Sequence, residues 1–440
     1  MRYTLETGLK RWISALALVV VLVAGCALPA PGPSDSMATP TVEPPTQIGF
    51  KVVAAEVERE GDPDVPPADL AALAEGQNRF AFDLYQAIRD GDDNLFYSPY
   101  SLATALAMTY AGARGETAAQ MAQVLNFTLP QAQLHAAMNA LAQELQAQDS
   151  LTLTVANSLW AQESYAFLDE YLEALARHYG AGVRLVDYTD PVGREAGREA
   201  INRWVEDETA GRIDELITEG MLTHLTRLVL ANAIYFHADW QVPFLLGTSD
   251  GTFYLLDGSQ VTVPLMSRRT GTPHTSGESY QAVELPYEGG RARMLVIVPD
   301  EGAFREIEAS LDAAFIETLI EDLATADIEL TMPKFSYDAR LTLKPILIEM
   351  GMEDAFDADR ADFSGMDGTR QLLITDVAHE AFVAVDEEGT EAAAATGVVV
   401  GIESMPVEVR VDRPFIYLIY DAELDLLLFV GRVLNPAPVN

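Results

Sequence analysis

The chain has 440 residues, 28 Lys and Arg against 67 Asp and Glu, a formal net charge of −39, and one cysteine. Such a field opposes nucleic acid and anionic lipid head groups, whose affinity comes from Lys and Arg contacts to phosphate. A single cysteine excludes a disulfide framework or a thiolate zinc cluster, and no phosphate-cradling glycine loop is present, so neither metal nor cofactor is expected.

Arg2, Lys10 and Arg11 precede an apolar run from Ile13 to Val23. That run is too short to cross a bilayer as a helix, so residues 1–25 read as a signal peptide. They end Val23-Ala24-Gly25-Cys26, which resembles a bacterial lipoprotein box and makes Cys26 a candidate for lipid attachment. An uncleaved signal anchor with an incidental cysteine is the alternative. Residues 26–68 carry nine prolines, which favour an extended tether and cannot build a packed core. From there to residue 437 no linker, repeat or low-complexity break appears, so one large α+β domain is expected.

Within that domain, Leu70 to Arg89 has Leu73, Phe80, Leu84 and Ile88 in helical rhythm. Ser98-Pro99 opens a second helix, serine as cap and proline at its first position, running to Tyr110. Helical patterns follow at Glu116 to Leu125 and Gln131 to Gln146. Leu151 to Trp160 alternates as a strand, Arg198 to Glu208 returns to helix, and Leu228 to Phe236 reads as a strand covered on both faces. Strands are then expected at Val261 to Met266, Ala282 to Tyr287, Met294 to Val298 and Ile328 to Phe335, with a helix pair at Phe304 to Leu323. Near the C-terminus, Glu387-Glu388-Gly389-Thr390-Glu391-Ala392-Ala393-Ala394-Ala395-Thr396-Gly397 separates two apolar β runs. Strands ordinarily gain stability from Val, Ile and aromatic packing. A segment stripped of that bulk suggests a strand that slides between neighbours already in place. A flexible linker or an alanine helix is the plainer alternative.

Five separated motifs bear on that choice. Asn94-Leu95-Phe96-Tyr97-Ser98-Pro99-Tyr100-Ser101, Ala111-Gly112-Ala113-Arg114-Gly115-Glu116-Thr117, and Asn232-Ala233-Ile234-Tyr235-Phe236 with Trp240 come first. Asp412-Arg413-Pro414-Phe415 and Gly431-Arg432-Val433-Leu434-Asn435-Pro436 close the chain. In order and spacing, with the alanine-rich hinge, they resemble the serpin family across roughly residues 70 to 437.

The resemblance implies three β-sheets ringed by helices, with a long exposed reactive-centre loop at about 387–406. It implies a monomeric, non-enzymatic inhibitor of serine and some cysteine proteases. The loop is attacked as substrate, and after the cut its upstream part inserts into the large sheet. Thr390, Ala392, Ala394 and Thr396 would then point into the core, and Gly389 would give freedom to bend. Counting from Glu387 and back from Pro414 places the scissile bond at Glu403-Ser404 and implies a glutamate-selective target. A shift of one places Ile402 there and implies an elastase-like one. Family positions match Ser98, Ser101, Asn232 and His379 as the shutter, and Trp240, Lys334 and Glu387 as the breach. Non-inhibitory relatives usually carry bulky or charged hinge residues; with those absent, a surface binding protein is the second reading. The segment Gln131 to Gln148, where some relatives bind sulfated polysaccharide, has no Lys or Arg, so heparin is not expected as a partner. Gly247-Thr248-Ser249-Asp250-Gly251 fits a hydrolase elbow by letter, but a strand and a turn follow it rather than a helix.

Overall fold

The structure is a computed structural model that describes residues 50–148, 151–390 and 405–437. The expected signal peptide 1–25, Cys26, the tether up to residue 49, and Glu391 to Ser404 with the Glu403-Ser404 bond lie outside those residues.

The first half is mostly helical: β1 (Val52–Val53), α1 (Pro67–Ile88), β2 (Leu95–Tyr97), α2 (Pro99–Tyr110), α3 (Gly115–Val124), α4 (Gln131–Gln146), β3 (Thr152–Gln162), α5 (Asp169–Tyr179), β4 (Val183–Val186) and α6 (Pro191–Glu208). Strands then dominate: β5 (Leu228–Asp239), β6 (Thr248–Tyr254), β7 (Gln260–Ser276), β8 (Tyr280–Pro286) and β9 (Ala292–Pro299). After α7 (Phe304–Ala309) and α8 (Ala313–Glu321) come β10 (Ala324–Pro333), β11 (Phe335–Thr342), α9 (Lys344–Glu349), α10 (Ser364–Asp367) and β12 (Asp376–Val385). The chain ends with β13 (Gly389–Thr390), β14 (Val407–Arg410), β15 (Phe415–Asp421) and β16 (Leu426–Val433).

Hydrogen bonds join these strands into two networks. One is seven-stranded, in the order β1-β4-β3-β5-β13-β12-β11, with β5 also pairing β12 directly. The other is nine-stranded, β14-β10-β7-β8-β9-β15-β16-β2, with β6 on β7. The two smaller sheets expected from the resemblance are merged here, because the 17-residue β7 is continuous from its β6 partner to its β8 partner. The expected strand Val261 to Met266 is only the first part of β7, and the expected strand ending at Phe335 is divided between β10 and β11. Two further differences concern the ends of the domain. Part of the expected tether is packed, as β1, and α1 already begins at Pro67, with proline fixing the first helical position.

The centre of the large sheet is buried on both faces, as the near-continuous apolar run at the start of β5 requires. Leu228, Leu230, Ile234 and Phe236 face the main core with α1, α2, β15 and β16. The alternate residues Val229, Ala231 and Ala233 face a second cluster built with Ile201 and Val205 of α6 and with Ile213, Leu216 and Ile217.

Candidate functional site

The site is the seam between β5 and β12, and it has a lower and an upper end. β5 and β12 pair in parallel from Val229↔Asp376 to Ile234↔Ala381. Higher up they separate, and β13 lies between them, antiparallel to both: Thr390 opposes Ala238 of β5 and Val385 of β12.

At the lower end, Ser98, Ser101, Asn232 and His379 converge. Asn232 and His379 are directly opposite one another across the seam, and all four side chains are buried. Ser98 caps α2, its hydroxyl accepting from the Ser101 amide at 3.1 Å. The Ser98 amide donates to His379 Nε2 at 3.2 Å, so the ring proton sits on Nδ1 and faces Asn232 Oδ1. Asn232 Nδ2 donates to the Ser101 hydroxyl, to its carbonyl at 3.2 Å, and to Asn157 Oδ1. Asn157, on β3, completes the network by donating to the Ser101 carbonyl at 3.3 Å. Sequence reasoning missed Asn157; the available signal was an amide in the middle of the strand, beside the apolar Val155 and Ala156. Burial holds the His379 pKa down, from 6.5 to about 3, so the ring is neutral.

At the upper end, Asp386 to Thr390 fold back as a tight turn. The Asp386 amide donates to the Gly389 carbonyl at 3.0 Å, and Asp386 Oδ1 accepts from the Glu388 amide at 2.9 Å. The Trp240 amide donates to the Glu388 carbonyl at 2.7 Å, and its indole Nε1 to the Asp386 carbonyl at 3.0 Å. Trp240 stacks on Tyr287 with ring centroids 4.5 Å apart, and the Tyr287 hydroxyl meets the Thr390 hydroxyl at 2.8 Å. Thr390 is 1% exposed. Lys334 donates to Glu387 Oε2 at 2.6 Å, and Thr248 to Oε1. Burial raises the Glu387 pKa, but bonds from Lys334 and Thr248 outweigh it and leave the carboxyl below its ordinary value.

Two expectations change here. The expected exposed loop from about 387 does not start exposed: Glu387 to Thr390 are docked. Gly389 is also needed for close approach, because a Cβ there would lie 2.3 Å from the Ala238 carbonyl oxygen. Asp386, Thr248 and Tyr287 were not legible as site residues, since their roles depend on the loop's return path. Ser249 of the hydrolase-like motif lies inside β6, in a strand rather than at a strand-to-helix elbow. Among the described residues no group of three or more His, Cys, Asp or Glu side chains is placed to hold a metal.

Residues 75–436 match the family model described as serpin (serine protease inhibitor). The chain belongs to the serpin family. An uncharacterized serpin-like protein of Thermococcus kodakarensis is 38% identical over 84% of this chain and 89% of its own. Leukocyte elastase inhibitor A of Mus musculus is 36% identical over 83% of this chain and the whole of its own. Among solved structures, human thyroxine-binding globulin bound to thyroxine superposes with a TM-score of 0.78 at 29% identity, covering 84% of this chain and 100% of that one. The thermophilic serpin tengpin in its native state gives 0.76 at 28% identity, over 87% and 97%. The serpin fold is therefore common to relatives described as elastase inhibitors and to one described as binding thyroxine.

Proposed function

We propose that this serpin is a suicide-substrate inhibitor of serine proteases, cut at Glu403-Ser404 and presented outside the cytoplasm on a lipid at Cys26. The observation that carries the reading is the seat of β13, a two-residue strand already antiparallel to both β5 and β12. Continuing the same register moves one residue down each neighbour per loop residue. Six residues beyond Thr390, Thr396 would stand between Asn232 and His379, the pair whose contact must break for the seam to open. A threonine hydroxyl can donate and accept there, so the loop would bring its own replacement for the lost bond. Thr390 already points into the core, which sets Ala392, Ala394 and Thr396 on the same face.

The chemistry is that of an interrupted hydrolysis. The protease serine Oγ attacks the Glu403 carbonyl, the Glu403–Ser404 peptide bond breaks, and the new Ser404 amine takes up a proton. The Glu403 acyl group stays on the protease as an ester while the freed upstream strand inserts. Seventeen residues from Glu387 to Glu403 span roughly 56 Å when extended, enough to carry the protease across the domain.

A serpin that only binds, as thyroxine-binding globulin binds thyroxine, is the second reading. Its weakness here is a hinge of threonine and alanine in phase with a seam already parted at its upper end by β13. Mixing the protein with glutamyl endopeptidase, elastase, chymotrypsin and subtilisin tests both on a denaturing gel. A band at the summed mass supports inhibition, and its strongest partner distinguishes Glu403 from Ile402. Clean cleavage without that band with all four proteases would sink the inhibitor reading.

A further inference from the structure

Residues 50–60 lie ahead of the segment that matches the family, which begins at residue 75, yet they are fastened to the body at several points. Val52 and Val53 pair with Arg184 and Val183, and the Leu185 amide donates to the Lys51 carbonyl at 2.9 Å. β1 thus covers the outer edge of β4, whose backbone groups would otherwise be an open template for pairing. Phe50 packs edge-on against Trp160 with centroids 5.9 Å apart. Further along, the Glu60 amide donates to the Arg177 carbonyl in α5 at 2.9 Å. The Glu60 carbonyl accepts from Asn139 at 2.8 Å and Gln143 at 2.7 Å, both on α4. Arg59 Nε donates to Asn139 Oδ1 at 2.7 Å. One short segment therefore ties β4, α5 and α4 together.

That tie crosses a boundary that insertion has to move. A new strand between β5 and β12 would push β5, β3 and β4 away from β12 and β11 by about 4.8 Å. α5 leads directly into β4 and would travel with it. α4 is packed against α1 and α2, with Gln131 holding the Tyr110 carbonyl at 2.7 Å, although it also meets α5 where the His135 ring faces the Tyr179 hydroxyl at 2.6 Å. Hydrogen bonds of this length do not survive a displacement of several ångströms. We propose that residues 50–60 are an intramolecular strap that holds the seven-stranded sheet unfilled and is strained off when a strand enters. The inference rests on sheet insertion as the working step of the proposed function.

Gly182 offers a way to remove the strap without altering it. A Cβ there would lie 2.6 Å from the Val53 carbonyl oxygen, 2.8 Å from Ala54 Cβ and 3.3 Å from Val52 Cγ1, all of them strap atoms. The experiment compares the full chain with its Gly182→Val and Arg59→Ala variants; Arg59→Ala serves alone if Gly182→Val fails to fold. Amide hydrogen exchange is read at residues 229–234 and 376–381, together with the loss of complex-forming capacity during warm incubation. The strap predicts exchange and activity loss each faster by on the order of tenfold in the variants. Unchanged exchange in the variants overturns the strap, whatever the protease assay shows. Faster exchange in variants of a protein that never traps a protease keeps the strap as a restraint on the sheet and removes the inhibitor reading.

Discussion

Acid should loosen the closed seam through His379, and the structure supplies the magnitude. Burial takes its pKa from 6.5 down to about 3. Geometry points the same way: the Ser98 amide already donates to Nε2, so a proton there would meet another donor. The unfolded chain takes up that proton near about pH 6.5, while the native state refuses it until about pH 3. The stability tied to the neutral ring is therefore complete above about pH 6.5 and is lost progressively as pH falls below it. One such group costs about 1.4 kcal/mol per pH unit, or about 2 kcal/mol at pH 5. His135, which burial and then His178 also lower to about 3, acts in the same direction. Asp376 and Glu380, whose carboxyls burial pushes up, act against it by holding protons in the native state. The assay isolates His379 by difference, following the guanidinium transition of the native protein and of His379→Gln between about pH 7 and pH 5. The variant is less stable at neutral pH, but its slope over that range is shallower by about 1 kcal/mol per pH unit. Parallel curves would refute the assignment of a neutral, buried His379 as an acid-sensitive latch.

Replacing Tyr287 with Phe removes the partner of the buried Thr390 hydroxyl, at a cost of about 1–2 kcal/mol. The docked hinge should then be cut faster by a non-target protease, and an unchanged cleavage rate counts against the seat. Thr396→Val keeps the shape but leaves Asn232 and His379 without the incoming hydroxyl. More inhibitor should be consumed per protease trapped, while an unchanged stoichiometry would contradict the continued register. Lys334→Met breaks a half-exposed ion pair, so thermal stability should fall by no more than about 1 kcal/mol after screening; a much larger loss would show that the pair carries more than its exposure allows. Thr390→Arg puts an unpaired charge where the hinge enters the core and should turn inhibitor into substrate; retained inhibition would displace the hinge assignment.

The sequence was most legible where local chemistry and long-range order agree. Ser98-Pro99 marked a helix start that holds to the residue, and the even apolar run of β5 announced a strand covered on both sides. The lower cluster could be assembled only through the serpin resemblance, because Ser98, Asn232 and His379 sit on a cap and two strands more than a hundred residues apart. Asn157 escaped, being one of several polar residues in a strand whose partners no spacing rule reveals. β1 escaped for a different reason: proline density argues for extension, and an extended segment can still add itself to an open sheet edge. The docked start of the loop was hidden as well, since Gly389 suits bending and close approach equally until the Ala238 carbonyl is seen beside it.

Burial along β5 also explains why the hinge is small on both faces from Ala392 to Thr396 rather than at alternate positions. Insertion in the present register would set Thr390, Ala392, Ala394 and Thr396 toward the main core, level with Ala238, Phe236, Ile234 and Asn232. Glu391, Ala393 and Ala395 would face the other way, level with His237, Tyr235 and Ala233. His237 and Tyr235 are half-buried, but Ala233 lies in the second cluster with Ile201 and Val205 of α6. A charge is thus tolerable at Glu391, where that face is still open, whereas Ala395 must pass beneath α6. Alanine at both parities follows where the sheet is covered on both sides, and Glu391, the one charged residue from Thr390 to Thr396, falls where the cover is incomplete.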